Sequence, residues 1–288
     1  MAVTLLDIQP TIQNNLVSTI VESIYMRNPL LALIPFVDND GKTTYQMIVE
    51  DGLAEGSTTR QINSDYTEGT AKNKVVSFDL GIYGGLGFVD NYLVKAGGVP
   101  YDLLNSQIQA KAKAAGIAFQ RDFFNGDASV NAQTMTGLKK IVASTSSESV
   151  STDALSLEDF DAAVYGVSGA NVIFANGKTV ARFNKLIRES GLLALTSVDV
   201  VGVPATVYNG VKILSTDVAG LNSPILADGE IYSARLGADG VFGIQANLPE
   251  PTIVEPGLRP GYTIRYEWFA GVAVQPGSVY RIKRNLTA

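Results

Sequence analysis

Residues 102–125 read DLLNSQIQAKAKAAGIAFQRDFFN, and the rest of the chain arranges itself around this stretch. Leu104, Ile108, Ala112, Ala115, Phe119 and Phe123 recur every three or four residues, which is one apolar face of a helix. Pro100 stands just ahead of the run and Asn125-Gly126 supplies a stop. At 1.5 Å per residue the segment is a rod of roughly 36 Å. Its polar face carries Lys111, Lys113 and Arg121 and is predicted to meet solvent or a partner.

Ahead of the rod, Val76, Phe78, Leu80 and Ile82 alternate with polar or small residues, so a strand is expected from Lys74 to about Tyr83. Thr43–Val49 is expected to be its partner. Between them, Glu50–Asn73 is polar, with Leu53 and Ile62 its only aliphatic side chains larger than Ala. So long a polar connection inside a domain usually packs on something else, and the unit reads as a long hairpin reaching away from the body. Further upstream, Ile12, Leu16, Ile20 and Ile24 lie four residues apart on an amphipathic helix over Thr11–Arg27. Pro29 ends that helix at Asn28, and Pro29–Phe36 is expected to be an irregular apolar peg.

Beyond the rod, Ser144–Thr152 reads as a linker. Ser156-Leu-Glu-Asp159 opens a helix with Phe160, Ala163, Val164 and Val167 inward. Val172–Ala175 is a buried strand, and Lys178–Ser190 a helix burying Val180, Phe183, Leu186 and Ile187. The period then becomes two. Ala205–Val207 and Val211–Leu214 flank Asn209-Gly210, a strong hairpin signal. Short strands are expected at Pro224–Ala227, Ile231–Leu236, Val241–Ile244, Tyr262–Trp268, Gly271–Val274 and Val279–Lys283.

Composition removes whole classes of chemistry. Among 288 residues there is no Cys and no His, which excludes disulfides, thiolate nucleophiles, Cys/His zinc or haem sites and every Ser-His-Asp arrangement. Acidic side chains outnumber basic ones 28 to 22, which disfavours a dedicated nucleic-acid reader. Mean hydropathy is +0.14, yet no apolar run approaches the roughly 20 residues that a membrane helix needs. Met1–Pro10 has no basic flank and contains Asp7, unlike a secretory signal.

The remaining motifs have structural explanations. Gly177-Lys178-Thr179 follows a strand, but a phosphate loop needs a glycine where Val172 stands. Gly81, Gly84, Gly85 and Gly87 lack the dinucleotide spacing and suggest a bend or bulge beside another backbone. Glu158, Asp159 and Asp161 suit the positive end of a helix dipole better than acid/base work. Asp38, Asp40 and Gly41 fail the calcium-loop spacing because Thr43 stands at the glycine position. Asn285-Leu286-Thr287 is a glycosylation sequon in spelling only.

The order of parts resembles the tailed-bacteriophage major capsid protein family, the Hong Kong 97 fold. The similarity rests on Asn28–Phe36 leading into an extended loop at Tyr45–Phe78, the spine-like rod Asp102–Asn125, Val172-Ile-Phe-Ala-Asn176 with its following helix and Ser190-Gly191, and Arg265–Ala273 as a closing strand pair. The resemblance implies an α+β subunit. Its parts would be an N-terminal arm (1–41), an extended β-hairpin loop (42–83), a peripheral domain with a spine helix (84–155 and 259–288, helix 102–125) and an α/β axial domain (156–258).

It also implies a function: a structural, non-enzymatic protein that self-assembles into pentamers and hexamers of an icosahedral shell around double-stranded DNA. Such a virion capsid forms in the host cytoplasm, without cofactor, metal or membrane. Expected inter-subunit contacts are Ile12, Leu16, Ile20 and Ile24 on the arm and Glu55, Arg60, Asp65, Glu68 and Lys72 on the loop. DNA would be met non-specifically at the inner face. Separate scaffolding and minor capsid or cement proteins are partners the family admits, because the arm begins almost at Met1 with no scaffolding segment ahead of it. Relatives that weld subunits do so from a loop lysine; Glu55–Asp65 contains Arg60 and no Lys, so locking is expected to be non-covalent. Competing readings are an encapsulin-like compartment shell, a nucleotide-binding enzyme resting on Gly177-Lys178-Thr179 alone, and a β-rich tail module, against which the rod helix argues.

Overall fold

A computed structural model describes residues 3–4, 28–50, 52, 59–66, 68–70, 72–92, 100–191, 195–198, 204–217, 224–248, 250–254 and 260–286. The rod is helix α2, Pro100–Asn125; it follows strand β1 (Val3–Thr4), helix α1 (Pro29–Leu33) and strands β2 (Pro35–Asp38), β3 (Thr44–Glu50), β4 (Asn73–Asp79) and β5 (Gly81–Asp90). After it come α3 (Leu138–Ser144), β6 (Glu148–Ala154), α4 (Leu157–Tyr165), β7 (Val172–Ala175) and α5 (Gly177–Ser190). Eight strands close the chain: β8 (Leu195–Val198), β9 (Pro204–Tyr208), β10 (Val211–Ser215), β11 (Glu230–Ala234), β12 (Val241–Gln245), β13 (Glu250–Val254), β14 (Gly261–Val274) and β15 (Val279–Asn285).

Two sheets form the body. In the first, β14 is the common member: β5 pairs along one edge from Gly81↔Ala270 to Asp90↔Gly261, and β12 and then β13 pair along the other. Between β12 and β13 the ladder is carried by a side chain, since Asn247 Oδ1 accepts from Phe269 N at 2.9 Å and Asn247 Nδ2 donates to Glu267 O at 2.9 Å. Parallel to β12 runs β2, with β1 antiparallel on its far side. The second sheet has the order β6-β15-β11-β7-β10-β9-β8.

Strand β7 is apolar at every position because both of its faces are covered. Ile173 packs with Phe160, Phe183 and Ile187 from α4 and α5, while Val172 and Phe174 face the core built around α2. Phe119 of α2 lies 5.0 Å from Trp268 and 5.5 Å from Tyr83 in the first sheet; one turn on, Phe124 lies 5.4 Å from both Phe174 and Tyr232 in the second. Each such pair adds about 0.5–1.5 kcal/mol beyond area burial.

Several sequence expectations change. Pro29–Phe36 is not an irregular peg but α1 followed by β2, with Leu30, Leu31, Ile34 and Phe36 fully buried, so residues 28–38 belong to the core and not to an arm. Ser144–Thr152 is no linker: it contains edge strand β6, whose partner is β15. The strand expected over Lys74–Tyr83 breaks at Leu80 into β4 and β5, whereas Tyr262–Trp268 and Gly271–Val274 are one strand. Pro224–Ala227 forms no strand, and Ala227 N is bound by the Glu230 carboxylate. The glycines of β5 make no bend, yet backbone does pass close: a Cβ on Gly84 would lie 2.5 Å from Tyr266 O. Sheet membership also cuts across the expected domain boundaries, because β6 and β15 join the sheet of β7 while β12 and β13 join that of β5.

The apolar-poor strand β6 is held by charge. Arg281 on β15 donates to Glu230 Oε1 at 2.7 Å and to Glu148 Oε2 at 2.6 Å, and Arg284 donates to Asp159 Oδ1 at 2.9 Å and Ser149 Oγ at 2.8 Å. The Arg281 and Glu230 side chains are only 7% and 3% exposed. Arg281→Met therefore strands a buried carboxylate and should cost about 3–5 kcal/mol in chemical denaturation. Adding Glu230→Gln should recover much of that loss; no recovery would refute the pairing as the cause.

Candidate functional site

The strand-to-helix turn at Asn176 is built as a cap. Asn176 Oδ1 accepts from Thr179 N at 2.8 Å, and Asp217 Oδ2 accepts from Gly177 N at 2.8 Å. Carboxylate and amide oxygens thus take the first free amides of α5, the groups that a phosphate would use. Lys178 Nζ is paired with Asp228 Oδ2 at 2.9 Å, which raises the lysine and holds the aspartate below its ordinary range.

Asp159 and Asp161 of α4 are likewise engaged. Asp159 Oδ2 accepts from Ser156 N at 3.0 Å while Oδ1 meets Arg284. Asp161 accepts from Tyr208 at 2.8 Å; burial, with this bond next, pushes the tyrosine hydroxyl up to about 12. Asp38 accepts from Asp40 N at 3.1 Å within a turn. Among the described residues no cluster of metal-ligating side chains occurs, and no helix is long and apolar enough to cross a membrane.

What the fold leaves exposed is the outer part of the hairpin; nearer its root Tyr45, Met47, Val76 and Phe78 pack on the core. β3 and β4 pair from Thr44↔Asp79 to Glu50↔Asn73 and form a sheet of two strands. Its root is pinned: Asn39 Nδ2 donates to Lys42 O and Thr44 O, and Asn39 N donates to Gln245 O. A cleft of about 320 Å³ lies beside the root, floored by Val76, Phe78, Val142 and Val272, with Lys74 and Asp79 at its rim.

Beyond β3, residues 59–66 form a turn in which every side chain is exposed. Arg60 Nη1 donates to Ser64 O at 3.1 Å, the guanidinium lies 5.3 Å from the Tyr66 ring centroid, and Ser64 N and Oγ both donate to Gln61 O. The turn gathers Arg60 and Asp65 of the expected contacts; Glu68 and Lys72 are exposed further along. Ile12, Leu16, Ile20, Ile24 and Glu55 lie outside the described residues. Tyr66, which steadies Arg60, was not anticipated, since a six-residue separation in a turn leaves no periodic trace.

Because Lys178 serves Asp228, Lys178→Ala should change neither assembly nor nucleotide affinity. Calorimetry with ATP should read no binding for either form; micromolar binding lost in the variant would reinstate a nucleotide site.

Comparison with known proteins fits these surfaces to one architecture. Residues 13–154 match the family model described as Major capsid protein GP7. No curated protein sequence matches the chain. Among solved structures, the holo-SrpI encapsulin complex from Synechococcus elongatus PCC 7942 superposes with a TM-score of 0.68 at 16% identity, over 90% of this chain and 88% of that one. The capsid of the empty GTA particle gives 0.65 at 13% identity over 90% of each chain, and Mycobacterium phage Cain 0.63 at 11% over 99% of each. At such identities the structures speak for the fold, and the family model for kinship. Residues 13–154 are thus similar to the phage major capsid protein family, and the chain has the Hong Kong 97 fold.

Proposed function

We propose that this capsid protein is the repeating subunit of an icosahedral shell of pentamers and hexamers that encloses double-stranded DNA, with the arm and the hairpin as its inter-subunit elements. The observation that carries the reading is the hairpin β3–β4. Near its root the ribbon rests on the core through Tyr45, Met47, Val76 and Phe78, but a two-stranded ribbon is at best marginal in water beyond such support, and this one continues into a turn that buries nothing. A neighbouring subunit lying under it would supply the missing burial. The arm's stripe of Ile12, Leu16, Ile20 and Ile24 calls for a surface in the same way, and Glu55, Arg60, Asp65, Glu68 and Lys72 would select the partner surface more than add affinity. In this reading an acidic chain of net charge −6 grips packaged phosphates weakly. Assembly in the host cytoplasm, with separate scaffolding or cement proteins, completes the proposal.

The superposition on an encapsulin supports a second reading, a compartment shell without a genome. Electron microscopy of the purified protein should show closed shells or capsomer rings, and particles from infected or expressing cells should hold nuclease-protected DNA. Particles holding protein cargo in place of DNA would favour the compartment. A monomer at all concentrations, with or without scaffold, would refute both.

Replacing Ala54–Ala71 with a short Gly-Ser turn should leave the subunit soluble, its thermal midpoint little changed, and unable to close durable shells. Fully stable particles from the shortened chain would remove the hairpin's inter-subunit role.

A further inference from the structure

The sequence holds three Asn-Gly pairs, Asn125-Gly126, Asn176-Gly177 and Asn209-Gly210. Such a pair can lose ammonia unaided, because no side chain on the glycine keeps its amide nitrogen from the asparagine Cγ. The reaction needs that amide unbonded and able to swing, and of the three pairs the fold meets this condition at one.

At the first two the amide is taken. Gly126 N donates to Asp122 O at 2.8 Å, Asn125 Nδ2 donates to Ile225 O at 2.8 Å, and a Cβ on Gly126 would collide with Met135 O. Gly177 N donates to Asp217 Oδ2 at 2.8 Å. Asn176 is buried, with Oδ1 accepting from Thr179 N and Nδ2 donating to Asp228 Oδ1.

Asn209 and Gly210 are the turn of the β9–β10 hairpin, both exposed, with φ of +47° and +82°. Among the described residues Gly210 N has no hydrogen-bond acceptor, and a Cβ on Gly210 would meet nothing within 4 Å. Glycine tolerates φ of either sign, so this peptide unit can rotate, and a surface turn opens far more cheaply than the whole domain. The turn is also a tie: Asp161 Oδ1 on α4 accepts from Asn209 Nδ2 at 3.2 Å and from the Tyr208 hydroxyl at 2.8 Å.

We infer that Asn209 is a site of spontaneous deamidation in the folded protein, and that the change works as a slow timer that loosens the β9–β10 hairpin from α4. Gly210 N attacks Asn209 Cγ. The new N–Cγ bond closes a five-membered succinimide, the Cγ–Nδ2 bond breaks, and the proton from Gly210 N leaves with the departing ammonia. Water, the one co-reactant, then opens the ring at the side-chain carbonyl to give aspartate or at the backbone carbonyl to give isoaspartate. Either product replaces a donor to Asp161 by a second carboxylate, and like charges so close repel. Isoaspartate also lengthens the backbone inside a two-residue turn whose register sets Tyr208 opposite Val211.

The test ages the full-length protein at mildly alkaline pH, below its thermal midpoint, and maps its peptides by mass spectrometry, with isoaspartyl methyltransferase labelling to detect isoaspartate. Asn209 should convert at least about tenfold faster than Asn125 or Asn176 while the chain is folded, since only its amide is released by local opening. In urea all three should convert at similar rates. Equal rates in the folded protein, or survival of Asn209 there while the unfolded chain converts, would overturn the site. Asn209→Asp, which installs the product directly, should speed amide exchange in β9–β10 about tenfold and leave β7 and β11 unchanged. Adding Asp161→Asn should return the exchange toward that of the native chain. Unaltered exchange in Asn209→Asp, or no recovery in the double variant, would overturn the timer.

Discussion

The packing of Phe119 and Phe124 on opposite sides of one helical turn is the constraint on which the subunit depends. Phe119 closes on Trp268, Tyr83 and Phe36, all from the first sheet or its approach, and Phe124 closes on Phe174 and Tyr232 of the second. The two sheets share no strand. Their mutual placement is set by aromatic rings carried on α2 and by the connections at β6 and β15. The Tyr83 hydroxyl donates to Asp122 Oδ2 at 3.0 Å at the same level; burial raises both groups, keeping the phenol protonated beside the carboxylate. A rigid body of this kind lets the hairpin project without unsettling the core.

Charge is confined to places where it orders rather than drives. Arg281 and Arg284 fasten an edge strand with few apolar side chains, Asp217 and Asn176 cap α5, and Asp159 both caps α4 and receives Arg284. The motifs that first suggest chemistry are consumed in this way. Lys178, Asp159, Asp161 and Asp217 each have a structural partner. That economy fits a protein whose function is carried by its surfaces.

The parts legible in the sequence are those whose signals are local. Val172–Ala175 could be placed to the residue because a strand covered on both faces is apolar throughout, and Asn209-Gly210 marked its hairpin because both residues adopt positive φ. The rod was legible from its spacing, apart from its first two residues. What was missed depends on distant partners. Nothing within Pro29–Phe36 tells that β12 will run parallel to β2, and nothing within the polar Glu148–Ala154 tells that two arginines, 133 and 135 residues from Glu148 and Ser149, will hold it. The same limit applies to the contact surfaces: stripes on the arm and charges on the loop can be read from pattern, but the stapling of Arg60 over Tyr66 needs coordinates.

The continuity of β4 and β5 through Leu80 decides how the subunit bears tension. A pull on the hairpin passes along β4 into β5 in the direction of the strand. There it is resisted by the ten register pairs with β14, which are loaded together in shear and not opened one at a time like a zipper. The ladder that fails bond by bond when peeled is at its strongest in this direction. Load reaching the hairpin would thus be spread over the longest strand pairing among the described residues before it reached the aromatic core.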